Sequence, residues 1–163
     1  MKSVKSLSKA FPAVFAALIL SVSGAQALEL GMPFGFGGNT TFGAAGGGDW
    51  GSDIGLRIHF SGMFALQPTV SLGASGGNAN IGVNVDALFY LFEGNGIREY
   101  LGANVGFNIA DDENFHLGGI FGLQHPLTDA VDLFGQVGFG LRFDPTWFYT
   151  VNTQLGVIFY LAK

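Results

Sequence analysis

Several groups of residues in this 163-residue chain have side chains that could do chemistry. His59-Phe60-Ser61 sets a histidine and a serine two apart, the residue types of a base and the nucleophile it activates. His116 and His125 are potential metal ligands, but the chain has no cysteine to complete a zinc set. Asp111-Asp112-Glu113 could attract a divalent cation and reads more simply as a solvated loop. Gly46-Gly47-Gly48 lacks the Lys-Ser/Thr of a phosphate-binding loop, so it reads as backbone flexibility. That leaves Arg57, Asp86, Asp132 and Arg142, with the amides Asn84, Asn104, Asn108, Gln136 and Gln154, in a chain where only 12% of residues are charged. No catalytic residue, cofactor site or metal site is expected.

Positioning such residues requires elements with two unlike faces. Over residues 80–91, Ile81, Val83, Val85, Ala87, Phe89 and Leu91 share one face of an extended chain, and Gly82, Asn84, Asp86, Leu88 and Tyr90 share the other. A helix would scatter them; a strand sorts them. The sorting recurs over residues 52–60, 64–74, 100–109, 132–143 and 151–161. It is weaker over 115–125 and weakest over 28–36, where Pro33 cannot donate to a ladder. The pattern predicts an all-β chain of eight antiparallel strands. Arg57, Asp86, Asp132, Arg142 and the five amides fall on the polar face, together with glycines such as Gly55, Gly82, Gly106, Gly122 and Gly156. A glycine-rich polar face suits the crowded interior of a narrow barrel better than a solvated surface, which would need many charges. Ion pairs completed by the amides would then plug the lumen. The alternative is a narrow polar conduit whose selectivity the same residues set.

The N-terminus has a different character. Lys2, Lys5 and Lys9 precede an apolar stretch over residues 10–22, too short to span a bilayer, and Ala25-Gln26-Ala27 follows as a cleavage pattern. A helical signal peptide over residues 1–27, cleaved near Ala27 after Sec export, and one barrel domain over 28–163 are expected. Without cysteine there is no disulfide framework and no lipoprotein site. Beyond residue 27, Arg57, Arg98, Arg142 and Lys163 stand against twelve acids, which excludes nucleic-acid binding.

Scarce charge without a long apolar run fits a transmembrane barrel, apolar outside and polar within. Aromatics gather near predicted strand ends, as interfacial rings do. One group is Phe60, Phe64, Phe89, Phe92, Tyr100 and Phe159; the other is Trp50, Phe107, Phe115, Phe143, Trp147, Phe148 and Tyr149. Connections are expected at residues 37–51, 75–79, 110–114 and 144–147 on the external side. On the periplasmic side they are expected at 61–63, 93–99 and 126–130. Only the first external and first periplasmic connections have the long and short lengths that outer-membrane barrels prefer.

These strands resemble the small outer-membrane β-barrel superfamily, the OmpA, OmpX and OmpW type and their porin-like relatives. The likeness covers residues 28–163 and includes the strand-turn-strand unit over 124–134 and the amphipathic last strand Gly156-Val157-Ile158-Phe159-Tyr160-Leu161, although Ala162-Lys163 follows it. It implies an up-and-down eight-stranded transmembrane barrel in the outer membrane of a Gram-negative envelope, monomeric and without a cofactor. The implied partners are outer-membrane lipid and lipopolysaccharide, with the barrel-assembly machinery and periplasmic chaperones acting during biogenesis. The implied role is structural or passive small-solute transport; surface adhesion through the external loops is an alternative. Barrel deacylases of lipid A resemble this fold and carry a His-x-Ser pair. Here Gly62 follows Ser61 where that pattern has Asn, and His59 falls on the lumen face, away from acyl chains.

Overall fold

The structure, a computed structural model, describes residues 29–42, 48–75, 78–108, 114–144 and 146–162. The expected signal peptide, most of the Gly46-Gly47-Gly48 run and the acidic run at Asp111 lie outside them. The described strands are β1 (Glu29–Phe42), β2 (Gly48–Gly55), β3 (Arg57–Ser61), β4 (Phe64–Ser75), β5 (Asn78–Gly94), β6 (Ile97–Asn108), β7 (Asn114–Thr128), β8 (Val131–Asp144) and β9 (Thr146–Ala162). Each pairs antiparallel with its sequence neighbours, and β1 pairs with β9 from Leu30↔Ala162 to Phe42↔Tyr149, so the sheet closes. Closure satisfies every strand edge internally, which a hydrocarbon environment demands.

Nine segments make eight barrel strands because β2 and β3 are one strand interrupted at Leu56. Both pair with β1 and β4 in one continuous register, Gly55↔Thr69 before the break and Ile58↔Leu66 after it. Leu56 donates its N–H to the Pro68 carbonyl at 3.0 Å, but Pro68 has no N–H to return. Pro33 has a milder effect. It lies inside β1, opposite Ile158, and β9 holds the strand on either side of it.

Laterally, the register runs from Gly31 to Arg57, then through Gln67, Asp86, Asn104, Gly118, Gly140 and Thr150 back to β1 at Thr41. The return lies ten residues beyond the start. That stagger over eight strands tilts them by roughly 40° and leaves an interior that side chains can fill.

The expected seven-residue connection over 93–99 is a two-residue turn. Glu93↔Arg98 and Gly94↔Ile97 pair, and Asn95 (φ 54°) with Gly96 (φ 74°) forms the left-handed turn that matches strand twist. Asn-Gly is a strong hairpin signal that the composition of the surrounding segment obscured. Residues 62–63 and 129–130 turn the chain at the same end. At the opposite end the pairing of Gly37 with Gly51, through Thr40 with Gly48, carries strand into the expected first loop. Glycine, asparagine and threonine had marked that segment as loop, yet ladder hydrogen bonds require only backbone. The first of these ends is the turn side of the barrel and the second its loop side.

Outward-facing residues are apolar and exposed around the circumference, with Leu91 at 58% and Leu155 at 70%. Outward rings pair near each end: Phe60–Phe64 (5.7 Å) and Phe64–Phe89 (4.9 Å) on the turn side, Phe107–Phe115 and Phe143–Trp147 (both 5.1 Å) on the loop side. Tyr100 does not join the first group. It is fully buried in the lumen, on the face where strand alternation with Gly102 and Asn104 puts it.

Candidate functional site

The lumen of the turn-side half holds one hydrogen-bonded network centred on Arg57, a fully buried arginine on β3. Its Nε donates to Gln67 Oε1 on β4 at 2.6 Å, and Gln67 Nε2 donates to Asp86 Oδ2 on β5 at 3.0 Å. Asn104 on β6 donates to the other Asp86 oxygen. These four residues occupy one lateral row, so register alone brings them side by side.

The second arm crosses the barrel. Arg57 Nη1 donates to Gln124 Oε1 on β7 at 2.7 Å, and that oxygen also accepts from Tyr90 Oη at 2.8 Å. Gln124 Nε2 reaches Asp132 Oδ2 at 2.5 Å and Tyr160 Oη at 2.7 Å. Strand β7 lies four positions from β3 around an eight-membered wall, so this contact spans the lumen. Neither carboxylate touches the guanidinium directly in these contacts. A glutamine stands between the charges on each arm, donating to the acid and accepting from the base. The guanidinium carbon also lies 5.3 Å from the ring centres of both Tyr100 and Phe134, where aromatic faces attract a cation.

A third chain runs above the first two. Tyr100 Oη donates to Gln136 Oε1 (2.9 Å), Gln136 Nε2 to Gln154 Oε1 (2.7 Å), and Gln154 Nε2 to Asp53 Oδ2 (2.5 Å). Two of these links pass over an intervening strand, and a glycine makes each passage possible. A Cβ on Gly122 would lie 2.2 Å from the Tyr100 ring, and one on Gly35 would lie 2.5 Å from Gln154 Nε2. Gly156 makes room for Phe134 in the same way, at 2.6 Å. Gly35, Gly122 and Gly156 are thus saddles over which long side chains lie.

Of the residues singled out by sequence, Arg57, Asp86, Asp132, Asn104, Gln136 and Gln154 belong to these chains. Asn84 instead donates to Ser71 Oγ at 2.6 Å. Asn108 lies near the loop-side end of β6, and Arg142 is in register with His116 there. Gln67, Gln124, Tyr90, Tyr160 and Asp53 were not singled out. Their strand parity was the available signal, since each shares a face with a glycine or an already suspected polar residue.

His59 and Ser61 do not form a base–nucleophile pair. His59 is buried in the lumen with its ring 5.3 Å from Tyr90, while Ser61 Oγ accepts from the backbone N–H groups of Met63 and Phe64 in its own turn. His125 Nδ1 lies 2.8 Å from the Gly96 carbonyl, fastening the Asn95-Gly96 turn to β7. Among the described residues no group of three His, Asp or Glu side chains could hold a metal ion.

No family model and no curated protein matches the sequence. The crystal structure of Neisserial surface protein A superposes with a TM-score of 0.61 at 12% identity, covering 84% of this chain and 99% of that one. The chain has the fold of a small outer-membrane β-barrel. A de novo designed transmembrane β-barrel is also similar, with a TM-score of 0.53 at 13% identity, covering 82% of this chain and 95% of the design. At these identities the likeness is one of barrel architecture.

Proposed function

We propose that this protein is an integral outer-membrane barrel whose turn-side lumen is sealed, with a structural role in the envelope rather than that of an open solute channel. The carrying observation is the Arg57–Gln124 hydrogen bond across the barrel, flanked by Gln67, Asp86, Tyr90, Asp132 and Tyr160. Opening a path through it would leave buried polar groups without partners, at about 1–3 kcal/mol each and more for the charged ones.

Membrane insertion is supported by the apolar outward face and its aromatic pairs near both ends. All three connections on one end are two-residue turns, whereas two of the four on the other end span five residues, which fits a periplasmic side at the first, with both chain ends of the barrel there. Lipid and lipopolysaccharide are then its surroundings, and the assembly machinery its route of insertion. Export by way of residues 1–27 belongs to the same proposal. An enzymatic role is disfavoured by the separate engagements of His59 and Ser61.

Planar-bilayer recording of the refolded protein tests the seal. A silent membrane, with insertion verified by a heat-dependent gel shift, is the expected result; steady stepwise conductance would overturn it. Fractionation of cells expressing the full chain tests location, and recovery in the inner membrane or the soluble fraction would sink the outer-membrane assignment.

A further inference from the structure

The wall of the barrel is not uniform in its backbone pairing. Between β7 and β8 the register runs unbroken from Phe115↔Phe143 to Pro126↔Asp132. Between β1 and β4 it lapses at Gly55 and Leu56. Pairing with β1 passes from Phe34↔Ile54 to Gly31↔Arg57, and pairing with β4 from Gly55↔Thr69 to Ile58↔Leu66. The register is the same on both sides of the lapse, which puts Gly55 opposite Pro33 and Leu56 opposite Pro68. Leu56 donates to the Pro68 carbonyl, so its own carbonyl faces the Pro68 nitrogen. The alternation of an antiparallel ladder then turns the Gly55 carbonyl toward the Pro33 nitrogen. Neither nitrogen carries a hydrogen. Two consecutive carbonyls therefore lose their ladder donors, one on each side of the strand. Side-chain packing adds little at this point, since Gly55 has no side chain and a Cβ there would stand 2.3 Å from the Pro68 carbonyl oxygen.

What holds this dipeptide in the wall is a side chain. Arg57 follows it directly at the start of β3, and its Nε donates to Gln67 Oε1 at 2.6 Å, on the residue that precedes Pro68 in β4. Its Nη1 is anchored to Gln124 on the far wall at 2.7 Å. The side-chain bond thus joins β3 to β4 beside the position where the backbone cannot. We propose that Gly55-Leu56 is a seam at which the barrel wall opens locally, with the Arg57 side chain as its latch. Opening from the interior of a strand differs from fraying, which starts at strand ends. Release of Gln67 and Gln124 by the guanidinium frees the dipeptide and breaks both arms of the lumenal network. Parting of the wall and loosening of the seal are then one event.

The test is amide hydrogen exchange, read by NMR on ¹⁵N-labelled barrel refolded in micelles and expressed as protection factors. Leu56, Leu101 and Leu123 make a matched set, each four or five residues from the turn-side end of its strand. Leu56 is expected to be at least about tenfold less protected than the other two. Pro68→Val supplies the Leu56 carbonyl with its missing donor on the outer face, where the side chain has room. It should raise the protection of Leu56 about tenfold and leave Leu101 and Leu123 unchanged. Pro33→Ala does the same for the Gly55 carbonyl and serves should the first variant lose its heat-dependent gel shift. Arg57→Lys keeps the charge but not the fork, and should lower protection at Leu56 about tenfold more than at the other two leucines. Equal protection of the three leucines in the parent, no gain at Leu56 in a folded proline replacement, or a uniform loss in Arg57→Lys would each overturn the proposal. Conductance and fractionation report on the closed seal and on location, so either reading can fail without the other.

Discussion

The two halves of the lumen share one set of strands, one stagger and a similar supply of glycine, yet the polar side chains of one are buried and those described in the other are only half-buried. The difference lies in what stands beside the glycines. On the turn side they alternate with tyrosine, phenylalanine, glutamine and arginine, so each missing side chain is replaced by a long neighbour lying across it, as Tyr100 lies over Gly122. On the loop side glycine stands beside glycine, as in Gly51↔Gly73 and Gly118↔Gly140, or under a shorter side chain, as Gly106 lies under Asn84 and His116 and Gly138 under Asn152. Glycine in a barrel wall is therefore neither a filler nor a void by itself; its cross-strand neighbours decide which.

Removing Arg57 should expose this contrast most strongly. Arg57→Ala leaves Gln67, Gln124 and two nearby carboxylates without their cation, and a loss of about 3–5 kcal/mol is expected in urea unfolding from lipid vesicles. Arg142→Ala, toward the accessible end, is expected to cost less than about 1 kcal/mol; equal losses would erase the distinction between the halves. Next in size is Gly122→Ala, where the new methyl meets a stiff ring held by Gln136. A cost of about 1–3 kcal/mol should appear in the same assay. Gly35→Ala should also displace Gln154 from Asp53, visible as a shifted Gln154 side-chain amide resonance. Gly96→Ala probes the hairpin turn rather than the lumen. Its left-handed backbone, φ 74°, predicts about 1–2 kcal/mol of destabilisation, since the cost is conformational and local. Smallest of all, Gly82→Ala on the loop side should stay within about 0.5 kcal/mol of the parent, because its Cβ finds ordinary contact distances. A loss there as large as at Gly122 would mean that the loop-side half is as tightly filled as the other.

Much of this was legible along single strands. The alternation of Ile81, Val83 and Val85 with Gly82, Asn84 and Asp86 assigned both faces, because a strand has only two. Arg57, Asp86 and Asp132 were recognisable as lumenal charges in need of partners. Local composition misled in three places. Tyr100 was drawn to the interface by its ring although its parity placed it inside. Residues 37–42 and 48–51 were taken for loop because their side chains are small and polar. The Asn95-Gly96 turn was submerged in a longer polar connection.

The sequence by itself determined that the chain would be extended, two-faced and apolar outward, since period-two alternation and scarce charge are properties of consecutive residues. It also determined that the inner face would be rich in glycine and poor in charge. Only the tertiary structure decided that Arg57 meets its acids through Gln67 and Gln124, that Gln154 reaches Asp53 over Gly35, and that Asn84 and His116 share the space over Gly106. Those contacts join residues up to 101 positions apart, and their partners are set by the ten-residue stagger on closure. A shift of two residues in any one register would preserve every face and exchange every partner, because side chains alternate with a period of two.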